Sequence, residues 1–280
     1  MNLIEIFISI LIILFFLILF DVSMSRFSIY QDPTDENKII EQIQALPVQT
    51  SQTEIPKIIH HMYPKERSKW KDEWFKCLKS WKIHFPEPEW VHLEWTDENI
   101  DSFMEESFQW FLPIFNKYSE KIMKIDMARY FILYSYGGLY ADADYLCYKN
   151  FWNKLDSSRP NLVGSPVIKC EKTQNSLMAS PVQNPFWKQV FLEAVRSRNY
   201  CSIIDQTGPR LLDRSAEKNW SVVNILPSAR FNPPTVDDSN RDGVFCQHLI
   251  TGSWKNPLQK VKSHMCDIIF YNKMKNLCCD

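Results

Sequence analysis

Asp142-Ala143-Asp144 sets two carboxylates one residue apart directly after a short apolar run, Leu139-Tyr140-Ala141. Side chains alternate along a strand with a period of two, so at a strand's end both carboxylates can face one target. Paired hard oxygen donors suit Mg2+ or Mn2+, ions commonly held by one or two carboxylates together with the phosphates of a substrate. Taken alone the spacing is weakly specific, because two aspartates in a solvated turn are common. Upstream, Asp126 and Arg129 stand three apart and share one helix face, either as a surface ion pair or as part of the same site.

The elements that must position these groups are legible in outline. Residues 120–136 are rich in helix formers, with Ile122, Ile125, Ala128, Ile132 and Ser135 or Tyr136 along one side. Gly137-Gly138 then ends the helix and releases the chain into the strand before Asp142. A proline-led apolar run, residues 55–63, reads as a buried first strand stopped by Pro64. Residues 70–85 show helical spacing, residues 90–95 alternate as a strand, and Thr96-Asp97 offers a helix N-cap. Strands over 161–168 and 221–226 and helices over 185–198 and 208–216 complete an alternating order, which predicts a three-layer α/β domain.

At 280 residues, 45% hydrophobic and 14% aromatic, the chain can bury one substantial core, which argues for one catalytic domain. Lys plus Arg number 32 against 33 Asp plus Glu, so no overall field draws it to nucleic acid. Only six glycines are present and no G-x-G-x-x-G or G-x-x-x-x-G-K run, so the usual glycine-based phosphate cradles are missing. Residues 3–20 are apolar except for Glu5 and Ser9, long enough to cross a bilayer. The expectation is an uncleaved signal anchor over residues 1–25, with a cleaved signal peptide ending before Arg26 as the alternative. Residues 26–54 are polar and read as a stem, leaving 55–280 as the catalytic domain. None of the eight cysteines falls in a C-x-x-C pair, so structural zinc is not expected. Some of them could pair as disulfides in a lumen, with a connectivity that spacing does not fix. Asn219-Trp220-Ser221 is a glycosylation sequon consistent with that compartment.

The run Lys124-Ile125-Asp126-Met127-Ala128-Arg129-Tyr130, followed by Gly137-Gly138-Leu139-Tyr140-Ala141-Asp142-Ala143-Asp144, resembles the DXD sugar-binding region of glycosyltransferase family 32. That group includes yeast-type Golgi and sphingolipid mannosyltransferases. Further points of resemblance run from Ile55-Pro56-Lys57-Ile58-Ile59-His60 through Ser80-Trp81, Trp95-Thr96-Asp97, Asn175-Ser176 and Thr207-Gly208-Pro209 to Gly252-Ser253-Trp254. The resemblance implies a GT-A, Rossmann-like nucleotide-sugar-binding fold, a divalent cation (Mn2+ or Mg2+) and retention of anomeric configuration. It implies a nucleotide-sugar donor, GDP-mannose or a UDP-hexose with mannose favoured, and a glycan, glycolipid or protein acceptor.

Carried over residue by residue, Asp142 would contact the ribose and the metal region, Asp144 would ligate the cation, and Asp126 with Arg129 would hold donor sugar hydroxyls. Tyr63 stands where relatives usually carry a base-stacking tryptophan, and is otherwise an ordinary core tyrosine. His248, Ser253 and Trp254 resemble the C-terminal element that closes over metal and diphosphate. Their alternatives are a structural histidine and the packing of a late loop. Lys124 departs from the arginine common in relatives, and residues 170–206 match at few positions, so acceptor choice is less marked than donor binding. The implied setting is a single-pass type II membrane protein of the Golgi or an equivalent secretory lumen. A glycoside hydrolase also needs two carboxylates, but set apart on either side of the bond, which an i, i+2 pair does not provide. The remaining rival is a catalytically inactive, membrane-anchored sugar-binding module.

Overall fold

The computed structural model describes residues 33–49, 54–166, 172–200, 202–237 and 239–250, with Ile12 by itself. The expected anchor, Ser253 and Trp254 lie outside these. Among the described residues no helix is long and apolar enough to cross a membrane.

A six-stranded mixed sheet in the order β2-β1-β3-β6-β5-β7 forms the middle layer. Its strands are β1 (Ile58–Met62), β2 (Val91–Trp95), β3 (Gly138–Ala141), β5 (Asn161–Gly164), β6 (Thr173–Ser180) and β7 (Asn224–Leu226). β1 runs parallel to β2 and β3, whereas β6 is antiparallel to both its neighbours. A separate two-stranded ribbon pairs β4 (Tyr145–Cys147) with β8 (Cys246–His248).

Alternation along the strands divides the core into two layers. Met62, Tyr140, Leu162 and Met178 face α1 (Pro33–Ala45), α3 (Asp97–Ser107), α4 (Lys121–Tyr136), α5 (Pro185–Ser197) and α6 (Pro209–Ala216). Ile59, Leu139, Val163, Leu177 and Ala179 face the other way, towards Trp81 of α2 (Asp72–His84), Phe85 just past its end, and the ribbon. The three-layer α/β expectation therefore holds, with Thr96 and Asn99 forming a capping box at α3.

Three sequence expectations differ from the structure. The stretch expected to be a stem contains α1, whose Ile39 and Ile43 are buried in the same cluster as α5, so apolar spacing inside a polar stretch makes it a packed element. Helix α4 was expected to bury one side. It is instead buried all round from Asp126 to Tyr134, while Tyr136 is exposed, because it lies between the sheet and the outer helices. The eight-residue strand β6 falls where the sequence marked no strand; Leu177, Met178 and Ala179 are buried on both faces, which removes the alternation that marks a strand.

Candidate active site

Asp142 and Asp144 do not lie in a strand. They occupy the turn that joins β3 to β4, where Asp142 donates its N–H to Ser176 O at 2.9 Å and accepts from Tyr145 N at 3.0 Å. The turn, rather than strand alternation, makes their carboxylates converge. Two positive-φ glycines upstream set its position. Gly138 (φ +86°) lies so close to β1 that a Cβ there would stand 2.5 Å from Ile58 O and 3.2 Å from His60 Nε2.

His248 enters from β8, opposite Tyr145 in the register, with its ring stacked on the Tyr145 ring at 5.1 Å between centroids. Its Nε2 is 3.0 Å from Asp144 Oδ1 and 3.9 Å from Asp142 Oδ2. One ligand atom from each of Asp142, Asp144 and His248 lies within 4.8 Å of the others. Burial opposes a charge on the imidazole, but the hydrogen bond to Asp144 and the charges of both aspartates raise its pKa overall. Two carboxylate oxygens and an imidazole nitrogen are a donor set that Mn2+ or Mg2+ accepts, so the residues fit the cation expected. Tyr145 is itself fixed, accepting at its carbonyl from Trp81 Nε1 (2.7 Å) and donating its phenol to Phe231 O (2.8 Å).

Behind this cluster is a buried polar network centred on α4. Arg129, 3% exposed, reaches Asp142 Oδ1 (3.1 Å), Asp126 Oδ1 (3.1 Å) and the Asn175 carbonyl (2.7 Å), and lies over the Tyr140 ring at 4.8 Å. Tyr140 donates its phenol to Asp142 Oδ1 at 2.6 Å. Asp126 accepts from Asn175 Nδ2 (2.9 Å) and Thr207 Oγ1 (3.1 Å). Burial pushes Asp126 up to about 6, offset by Arg129 and reinforced by the charge of Asp142. Asp126 and Arg129 are thus no surface pair: one guanidinium serves two carboxylates, and its own pKa is held up by Asp142 against the cost of burial.

Tyr63, just past β1, is 3% exposed and stacked on Trp70 at 4.0 Å and 18°. With Trp74 and Leu78 it forms a small cluster packed against Ala143. The Tyr63 hydroxyl and Trp74 Nε1 are buried without a hydrogen-bond partner. In this conformation Tyr63 is a packed core aromatic, and its ring opens to a ligand only if Trp70 moves. Asp126, Arg129, Asp142, Asp144 and His248 come together, Tyr63 lies to one side, and Ser253 and Trp254 are outside the described residues. Sequence reasoning gave no role to Tyr140, Tyr145, Asn175 or Thr207; Asn175 and Thr207 were visible only as points of resemblance, Tyr140 only within the apolar run before Asp142, and Tyr145 not at all.

The site sits where the parallel strands β1 and β3 end, the place where open α/β sheets bind ligands. Residues 71–161, which include Asp126, Arg129, Asp142 and Asp144, match the family described as glycosyltransferase sugar-binding region containing DXD motif. The chain is 43% identical over 222 residues to inositol phosphoceramide mannosyltransferase 1 of Schizosaccharomyces pombe, covering 74% of this chain and 64% of that protein. To mannosyl phosphorylinositol ceramide synthase SUR1 of Saccharomyces cerevisiae it is 34% identical over 200 residues, covering 63% and 47%. The chain therefore spans about half to two thirds of these relatives' length. Among solved structures, the PaToxG glycosyltransferase aligns with a TM-score of 0.46 and 14% identity, over 88% of this chain and 95% of that one.

Proposed function

We propose that this chain is a metal-dependent, retaining glycosyltransferase of GT-A fold that moves a hexose, mannose favoured, from a nucleotide-sugar donor to a glycolipid or related glycan or protein acceptor. The observation that carries the proposal is the convergence of Asp142, Asp144 and His248 within 4.8 Å, backed by the buried Arg129 pair. The names of the relatives, inositol phosphoceramide mannosyltransferase and mannosyl phosphorylinositol ceramide synthase, favour mannose and an inositol-phosphate glycolipid acceptor.

Asp142, Asp144 and His248 would hold a divalent cation, which would supply positive charge to the departing nucleoside diphosphate. The protein's part is positioning. Arg129 and Tyr140 fix the Asp142 carboxylate from behind, so Asp142 meets ribose and diphosphate without reorganising. Tyr145 and the β4–β8 pairing hold His248 over Asp144. Asp126 and Arg129 offer the donor sugar's hydroxyls an acceptor and a donor. The base would lie at the aromatic group beside Ala143, Trp70 moving off Tyr63 to admit it and the unpaired Tyr63 hydroxyl and Trp74 N–H giving it polar partners. Ser253 and Trp254 would complete the phosphate end. The apolar run at residues 3–20 and the exposed sequon at Asn219 support a type II anchor and a secretory lumen.

The test is Mn2+-dependent hydrolysis of a panel of nucleotide sugars by the purified chain, beside Asp144→Ala. Turnover of one donor, abolished in the variant and by chelation, supports the transferase. A folded protein that binds a donor but never turns it over, with any acceptor, leaves the inactive sugar-binding module as the reading. The anomeric configuration of the product, read by NMR, tests retention separately.

A further inference from the structure

The ribbon that carries His248 opposes Tyr145 to His248, Leu146 to Gln247 and Cys147 to Cys246. Its backbone bonds run from Tyr148 N to Phe245 O (2.8 Å) and from Leu249 N to Asp144 O (2.9 Å). These bonds make 148/245 and 144/249 the hydrogen-bonded pairs, and strict alternation in an antiparallel ladder then makes 147/246 a non-hydrogen-bonded pair. Residues opposed at such a site have Cα atoms about 4.5 Å apart and side chains on one face, inside the range of about 4.4 to 6.8 Å that a disulfide spans. Both thiols are buried in the same apolar cluster, with Tyr145 and Phe245 around them. Each makes a weak S–H hydrogen bond to a carbonyl, Cys147 to Lys149 O (3.5 Å) and Cys246 to Phe231 O (3.3 Å). A χ1 rotation at each residue gives up those bonds and turns the sulfurs towards each other.

We propose that Cys147 and Cys246 close a cross-strand disulfide that ties together the two strands carrying Asp144 and His248 at their ends. The bond forms by thiol–disulfide exchange with a small-molecule or protein disulfide. One cysteine thiolate attacks the oxidant, releasing one of its thiols. The second attacks the mixed disulfide and releases the other, so two protons and two electrons pass from the protein to two reduced thiols. Exchange needs access, so the bond closes while the ribbon assembles and is sheltered once the cluster packs. It joins strands separated by about 100 residues of chain, and a crosslink restricts the unfolded chain more the longer the loop it closes. The inference does not depend on the transferase reading, since neither its observation nor its test uses activity.

The full chain is folded in a mixture of oxidised and reduced glutathione, its remaining thiols are alkylated in denaturant, and it is digested without reductant for mass spectrometry. The expected result is one crosslinked peptide pair joining Cys147 to Cys246, lost on reduction. Thermal midpoints provide the second readout. Reductant should lower that of the wild type by roughly 5 to 10 °C and leave the Cys147→Ser/Cys246→Ser variant unmoved. Recovery of both cysteines in alkylated form from protein folded under oxidant, or of either one joined to Cys77 or another cysteine, overturns the proposal. If the double variant fails to fold, the peptide result on the wild type decides alone.

Discussion

Replacing Arg129 with methionine keeps most of the side chain's volume and removes its charge from between Asp126 and Asp142. Asp126 then either holds an uncompensated buried charge or takes up a proton. In the wild type its pKa of about 6, against 3.8 when exposed, already costs about 3 kcal/mol at neutral pH. In the variant a fully protonated Asp126 costs about 5 kcal/mol at about pH 7.5, at about 1.36 kcal/mol per unit. The lost bonds to Asp142 and to the Asn175 carbonyl add about 1 to 3 kcal/mol, so the total deficit is about 3 to 5 kcal/mol. The sign with pH follows from the raised pKa: the folded state holds the proton more tightly, so the Asp126 penalty is absent below about 3.8 and complete above the folded pKa. By about pH 5 the wild type and the variant both carry a largely protonated Asp126, and about 2 kcal/mol of the deficit disappears. Urea unfolding of both proteins at the two pH values measures this, and any change common to both cancels in the difference. A deficit below about 1 kcal/mol, or one that grows on acidification, would refute the claim that Arg129 compensates a buried Asp126.

Gly138→Ala places a Cβ 2.5 Å from a backbone carbonyl at a positive φ and should cost about 3 kcal/mol or more, whereas Gly243→Ala, whose Cβ meets nothing within 4 Å, should stay within about 0.5 kcal/mol; thermal unfolding compares them. Burial lowers His60 to about 4 and His61 to about 3, so both stay neutral when folded and take up protons on unfolding. Their stabilisation is complete above about 6.5 and erodes as pH falls, by about 2 kcal/mol for each at pH 5, and urea midpoints for wild type and His61→Gln should show a shallower acid slope in the variant. His248→Ala should weaken Mn2+ binding, followed by electron paramagnetic resonance, by more than about tenfold; unchanged affinity would remove His248 from the donor set.

Periodicity and punctuation made much of this protein legible. The proline-led first strand, the helix before Gly137-Gly138 and the acidic triplet after it are local patterns, and a strand between two such signals has few places to go. The i, i+2 carboxylates and the i, i+3 Asp126–Arg129 pair could be read because their geometry is set within one turn or one helix face. That locality also misled. Period-two alternation accounted for the converging aspartates only until the turn at Asp142 N and Tyr145 N did so instead. Likewise, one apolar stripe on α4 was the wrong picture for a helix covered on every side.

Only the tertiary structure decided what distance along the chain conceals. His248 meets Asp144 across 104 residues because β8 pairs with β4 in one register, and a slip by one residue would turn the imidazole to the other face. Asn175 and Thr207 reach Asp126 from β6 and from the segment before α6, joined by packing that no local spacing encodes. Tyr140 could be a core aromatic in any sequence reading; its hydrogen bond to Asp142 exists because β3 sets the ring under Arg129. The sequence by itself determined which groups could bind a cation. Long-range strand pairing determined which of them share a site, because an electrostatic cluster forms only where the fold has already met the cost of bringing its charges together.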